Sequence, residues 1–186
     1  MAKIARLSLI LLIITMVSAA LLGVTNDITK VIIQEKAMEA NLAYMKEILT
    51  DADEFKVVED PGVETIDAVE EAYEALKGGS IIGYVVKTVT SGYGGDVVQL
   101  TGINSDGTIA GVRVASQGET PGLGAKIADE DFTNKFIGKS TDTQLSVVKG
   151  AGGEDTIESI SGATISSNAA TNGVNAAMKL YEDVLK

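Results

Sequence analysis

The chain contains no cysteine and no histidine. It therefore cannot build a thiolate iron–sulfur cluster, a typical haem site or a Ser–His or Cys–His nucleophile, and the usual zinc donors are missing too. There is no thiol for a disulfide or for lipoprotein acylation. If this protein handles electrons, an organic cofactor must carry them. Basic residues are also scarce, with 15 Lys and Arg against 26 Asp and Glu, for a formal net charge of −11. Two of the basic residues, Lys3 and Arg6, precede every acidic one, so beyond residue 26 there are 13 basic against 26 acidic residues, a formal charge of −13. Nucleic-acid binding needs a basic surface to displace counterions, and this chain has none to offer. Solubility accounts for the acidity; steering toward a basic partner is the functional alternative. No internal repeat, low-complexity segment or acid–base pair with a substrate-pocket signature is present, so no catalytic residue and no metal ligand is assigned.

Long hydrophobic runs are limited to one. Residues 7–24 read LSLILLIITMVSAALLGV without a charge, about 18 residues and near the minimum that spans a bilayer as a helix. With Lys3 and Arg6 before it and Asp27 after it, the positive-inside rule predicts a single-pass cell-membrane protein, its N-terminus cytoplasmic and the rest extracytoplasmic. A cleaved signal peptide competes, because Val17-Ser18-Ala19 has the small-residue character of a cleavage site. The apolar run continues past that point through Leu21, Leu22 and Val24, which favours a retained anchor.

Beyond the anchor, residues 27–49 have helical apolar spacing, and 66–77 also read as a helix, stopped by Gly78-Gly79. Segments 81–90, 97–103 and 108–115 are rich in strand formers, the last two joined as a hairpin around Asn104-Ser105-Asp106-Gly107. A short helix is expected over 130–137, with Phe132 and Phe136 in the core rather than around a ligand. Short strands follow at 145–149 and 156–160. A final helix over about 166–185 buries the stripe Ala170, Val174, Ala177, Tyr181 and Val184. With strands in the middle and helices at the ends, the expected class is α+β. The expected division is an anchor (1–26), a helical stalk and connecting region (27–79) and one folded domain (80–186).

Two short strings are candidates for chemistry, against the alternatives of a plain helix cap for the first and a plain turn for the second. Ser161-Gly162-Ala163-Thr164 precedes the final helix, whose first-turn N–H groups have no intrahelical partner and attract anions. Either Ser161 or Thr164 is a reactive hydroxyl or a plain N-cap. Glu119-Thr120-Pro121-Gly122-Leu123-Gly124 is a tight loop, with Pro121-Gly122 suited to the centre of a type II turn and Gly124 to close backbone approach. It follows directly on the second strand of the hairpin, a suitable place for a binding loop.

Glu158-Ser159-Ile160-Ser161-Gly162-Ala163-Thr164 resembles the flavinylation motif of the FMN-binding domain family, and ETPGLG followed by Lys126 and Ile127 resembles that family's second signature. The resemblance covers roughly residues 81–186. The family's motif usually has Asp where this chain has Glu158, and often His where it has Gln117. The resemblance implies a small α+β FMN-binding domain with an antiparallel sheet and a long C-terminal helix. It implies FMN joined by a phosphoester to Thr164, placed there by a separate flavin transferase. It further implies cofactor contacts from Glu119, Thr120, Pro121, Gly122, Leu123, Gly124, Lys126, Ser161, Gly162 and Ala163, with Glu158 as the acidic residue of the flavinylation motif. Within the family, the single anchor and compact length are most similar to the G subunit of Rnf electron-transport complexes. That implies an electron relay among the other membrane subunits of an ion-translocating ferredoxin:NAD oxidoreductase, with no turnover alone. A stand-alone exported FMN carrier, or a non-redox exported module for an anion or protein, remains the alternative.

Overall fold

The computed structural model describes residues 2–60 and 62–186. By contacts the chain divides into two units, Met1–Ala40 and Asn41–Lys186. Helix α1 (Ala2–Ile48) runs through the first unit and into the second. Its segment Lys3–Asp27 is long and apolar enough to cross a membrane. At 1.5 Å per residue it measures roughly 38 Å, more than a hydrocarbon core of about 30 Å requires.

The second unit is built on a five-stranded antiparallel meander in the order β1 (Glu54–Val57), β2 (Val69–Lys77), β3 (Ser80–Ser91), β4 (Asp96–Asn104) and β5 (Ile109–Ser116). β3, β4, β5 and the β4–β5 hairpin lie where the strand-forming residues place them. β2 does not follow the sequence reading: residues 66–77 were expected to be helical, and Val69–Lys77 is a strand. Its Glu, Ala, Leu and Lys residues favour a helix locally, but both of its edges are paired, to β1 and to β3. Pairing of this kind overrides a weak local propensity. Gly78 and Gly79, expected as a helix stop, both have positive φ (57° and 85°) and make a two-residue hairpin turn.

Both faces of the sheet are covered. On one face Ala75, Val85 and Leu100 pack against Met45 and Ile48 at the end of α1 and Leu49 just after it. On the other lies α3 (Thr164–Leu180), which begins two residues before its expected start. Ala170, Val174 and Ala177 are buried as the stripe predicted, continued by Tyr181 in a terminal π-helical turn (Tyr181–Leu185), with Val184 half-buried. Small residues bring α3 close enough for Thr90 Oγ1 to donate to the Ala169 carbonyl (2.9 Å) and Gln99 Nε2 to that of Ala170 (3.0 Å). Where one helix was expected over 130–137, a short helix α2 (Glu130–Thr133) and a 3₁₀ turn (Asn134–Phe136) place Phe132 and Phe136 in the core, edge to face at 5.6 Å. Strands β6 (Ser146–Val148) and β7 (Thr156–Glu158) form a separate parallel pair. This is an α+β fold with an N-terminal apolar helix, an antiparallel sheet and a long C-terminal helix.

Candidate functional site

The two sequence motifs fold into two β-turns that meet. In the first, Leu123 N–H donates to Thr120 O (3.1 Å) and Gly122, third in the turn, has φ 77°. This is the type II arrangement that Pro121-Gly122 predicts. In the second, Ala163 N–H donates to Ile160 O (2.9 Å) and Gly162 has the same φ of 77°. The turns approach so closely that a Cβ on Gly162 would lie 3.1 Å from Leu123 Cδ1. Ser167 fixes the second turn from inside α3, accepting from Ile160 N–H and donating to Ala163 O, both at 3.0 Å.

Between the turns is a cleft of about 430 Å³. Tyr93, Glu119, Thr120, Leu123 and Gly124 line one side; Gly162, Ala163, Thr164, Ile165 and Ser166 line the other. Thr164 is the first residue of α3, and Ala163 stands at the N-cap position without a side-chain cap. Neither Ser161 nor Thr164 is therefore spent on capping, and among the described residues the Thr164 hydroxyl has no hydrogen-bond partner. The first-turn N–H groups of α3 remain available to an acceptor in the cleft.

Glu119 is the organising side chain, a carboxylate only 6% exposed. Its Oε1 accepts from Tyr93 N–H (2.7 Å) and Gly94 N–H (3.2 Å), and its Oε2 accepts from Ser166 Oγ (2.8 Å). Burial by itself would raise its pKa, but the bonds from Ser166, Gly94 and Tyr93 outweigh it and hold the carboxyl below its ordinary range. One carboxylate thus ties together the β3–β4 loop, the ETPGLG loop and the start of α3. Gly124 makes this possible, because a Cβ there would come within 2.5 Å of Glu119 Oε2 and 2.6 Å of Ser166 Oγ. Gln117 orients the loop by accepting from Glu119 N–H (2.5 Å).

Of the residues singled out by sequence, Glu119, Thr120, Leu123, Gly124, Gly162, Ala163 and Thr164 come together at the cleft. Pro121, Gly122 and Ser161 are exposed turn residues outside its lining, and Lys126 is exposed within the following 3₁₀ turn. Glu158 also lies elsewhere, on β7 with its carboxylate 3.4 Å from Lys135 Nζ. Sequence reasoning missed Tyr93, Ile165 and Ser166. Tyr93 alone carried a signal, as a lone aromatic among glycines.

The fit to a flavin mononucleotide can be judged from these residues. Uncapped N–H groups suit a phosphate, and apolar Leu123 and Ile165 beside Tyr93 suit a flat ring. A cleft of this size is also in the range for small ligands. Residues 92–179 match the FMN-binding domain family. The chain is 39% identical to the G subunit of the Na(+)-translocating ferredoxin:NAD(+) oxidoreductase complex of Acetobacterium woodii, over 97% of this chain and 93% of that one. It is 32% identical to the proton-translocating counterpart of Clostridium ljungdahlii, over 88% and 83% respectively. Among solved structures, the C subunit of the Na(+)-translocating NADH-quinone reductase from Parabacteroides distasonis aligns with a TM-score of 0.52 and 27% identity, covering 69% of this chain and 77% of that one. With the FMN-binding match set on the cleft and its motifs, and relatives aligned along almost the whole chain, the protein belongs to the FMN-binding domain family, in the group of G subunits of ion-translocating oxidoreductase complexes.

Proposed function

We propose that this protein is an electron-relay subunit of an Rnf-type ferredoxin:NAD oxidoreductase complex and holds FMN by a phosphoester on Thr164 Oγ1. The observation that carries the reading is the position of Thr164, an unengaged hydroxyl on the first residue of an uncapped helix, opening into a cleft closed by the ETPGLG loop. The first-turn N–H groups bind the remaining phosphate oxygens, and the helix dipole offsets their charge. Leu123 and Ile165 offer apolar surface to the ring, while Glu119 holds the walls of the cleft in register. When bound, the flavin supplies the one- and two-electron chemistry that the side chains lack.

Attachment requires a flavin transferase. Thr164 Oγ1 displaces AMP from FAD: a new O–P bond forms, the P–O–P bond breaks, and the hydroxyl proton is released. Glu158, away from the cleft, belongs to the segment that the transferase reads rather than to the cofactor's contacts. Residues 80–186 form the flavin-binding part, carried on the extracytoplasmic side by the anchor in residues 1–26. The other membrane subunits of the complex are its electron partners. Coexpression of the full chain with a flavin transferase tests this reading: a denaturing gel should show a flavin-fluorescent band that Thr164→Ser keeps and Thr164→Val loses. A band undiminished in Thr164→Val would overturn it.

A further inference from the structure

The β3–β4 loop consists of Gly92, Tyr93, Gly94 and Gly95, so Tyr93 is its one side chain. That ring is 73% exposed and lines the cleft. The loop beneath it is not loosely placed. Gly92 N–H donates to Gly95 O (2.8 Å), and Tyr93 and Gly94 N–H both end on the buried Glu119 carboxylate. Its backbone also lies against Gly118 and Glu119: a Cβ on Gly118 would be 3.1 Å from Gly94 O, and one on Gly92 would strike Glu119 Oε1. A large ring is thus left in solvent on a loop that is closely packed and fixed by a charged group.

The surroundings of the ring point to what covers it. Among the described residues of Asn41–Lys186, seven large apolar or aromatic side chains are exposed, and three of them, Tyr93, Leu123 (42%) and Ile165 (55%), line this one cleft. Such clustering is uncommon on a soluble surface unless something binds there. Thr164 stands directly before Ile165, so a group attached at Thr164 has this apolar rim within reach of its own body.

We propose that Tyr93 is the aromatic contact for the isoalloxazine ring, and that Glu119 is a positioning residue acting through the Tyr93 and Gly94 N–H groups. The inference rests on attachment at Thr164, but nothing in the two motifs assigns Tyr93. Stacking with an aromatic is favourable beyond the area it buries. A phenol in van der Waals contact also quenches flavin emission, which gives a readout independent of electron transfer through the complex.

The test uses full-length protein flavinylated in cells, with emission measured per covalently attached flavin and occupancy of Thr164 measured by mass. Tyr93→Ala should leave occupancy unchanged and raise emission severalfold, while Tyr93→Trp should stay quenched. Glu119→Ala should raise emission with Tyr93 present and add nothing on a Tyr93→Ala background; Glu119→Gln, which keeps an acceptor for the two N–H groups, should restore quenching. Should Glu119→Ala not fold, the exposed Tyr93 series still decides the ring contact and Glu119→Gln the positioning. Full occupancy with unchanged emission in Tyr93→Ala overturns the inference and leaves the apolar rim to a partner protein. Additive effects of the two alanine variants, or loss of quenching in Glu119→Gln, overturn the role of Glu119. An unmodified Thr164 in the parent protein overturns the attachment itself, so the two failures are distinct.

Discussion

At the scale of single residues, the cleft depends on a carboxylate that is stable only because it is bonded. Removing one donor from a buried charge costs about 1–3 kcal/mol, so Ser166→Ala should lower the stability of the folded unit by that amount in urea denaturation. Its pH dependence has a definite sign. Glu119 titrates below the ordinary carboxylate value of 4.5, so its contribution is complete above that value and disappears as pH falls through the depressed one. Acid titration should therefore unfold Ser166→Ala at a higher pH than the parent. Coincident acid midpoints would show that the Ser166 bond contributes nothing. The sequence identified Glu119 as a motif member but not as a pin, because its partners Tyr93, Gly94 and Ser166 lie 26, 25 and 47 residues away. The place of Thr164 at the start of α3 was legible because a glycine turn and a helix start are local features.

Among the elements, legibility followed the range of the interactions. β3, β4 and β5 were readable from their strand-forming residues and α3 from its 3.6-residue stripe, because these signals are local. β2 was not, because residues that favour a helix are held extended by pairing on both edges. The end of α1 was expected to be a stalk or packing helix, and the structure makes it a cover for the sheet. Met45 is 1% exposed, among Ala75, Val85 and Leu100. Met45→Ala should accordingly cost about 2–5 kcal/mol, seen as a lower urea midpoint with an unchanged slope. An exposed stalk residue would cost nothing measurable, and that result would detach α1 from the sheet.

On the scale of the whole molecule, the anchor and the folded unit make separable predictions. A protein starting at Asn41 keeps Met45, Ile48 and Leu49 and should be soluble, cooperative in unfolding and competent for flavinylation. One starting at Glu54 uncovers Val85 and Leu100 and should aggregate. Sidedness can be read because the chain has no cysteine: Thr143→Cys, at an exposed position, provides a single thiol. In intact cells a membrane-impermeant maleimide should label it, and protection until the cells are lysed would place the domain in the cytoplasm. The most direct measurement is peptide mass spectrometry across Thr164 on full-length protein made with and without an active flavin transferase. The account predicts an FMN-sized addition on Thr164, present only with the transferase and absent from Thr164→Val. An unmodified Thr164 beside an active transferase, or the same addition on another residue, would contradict it.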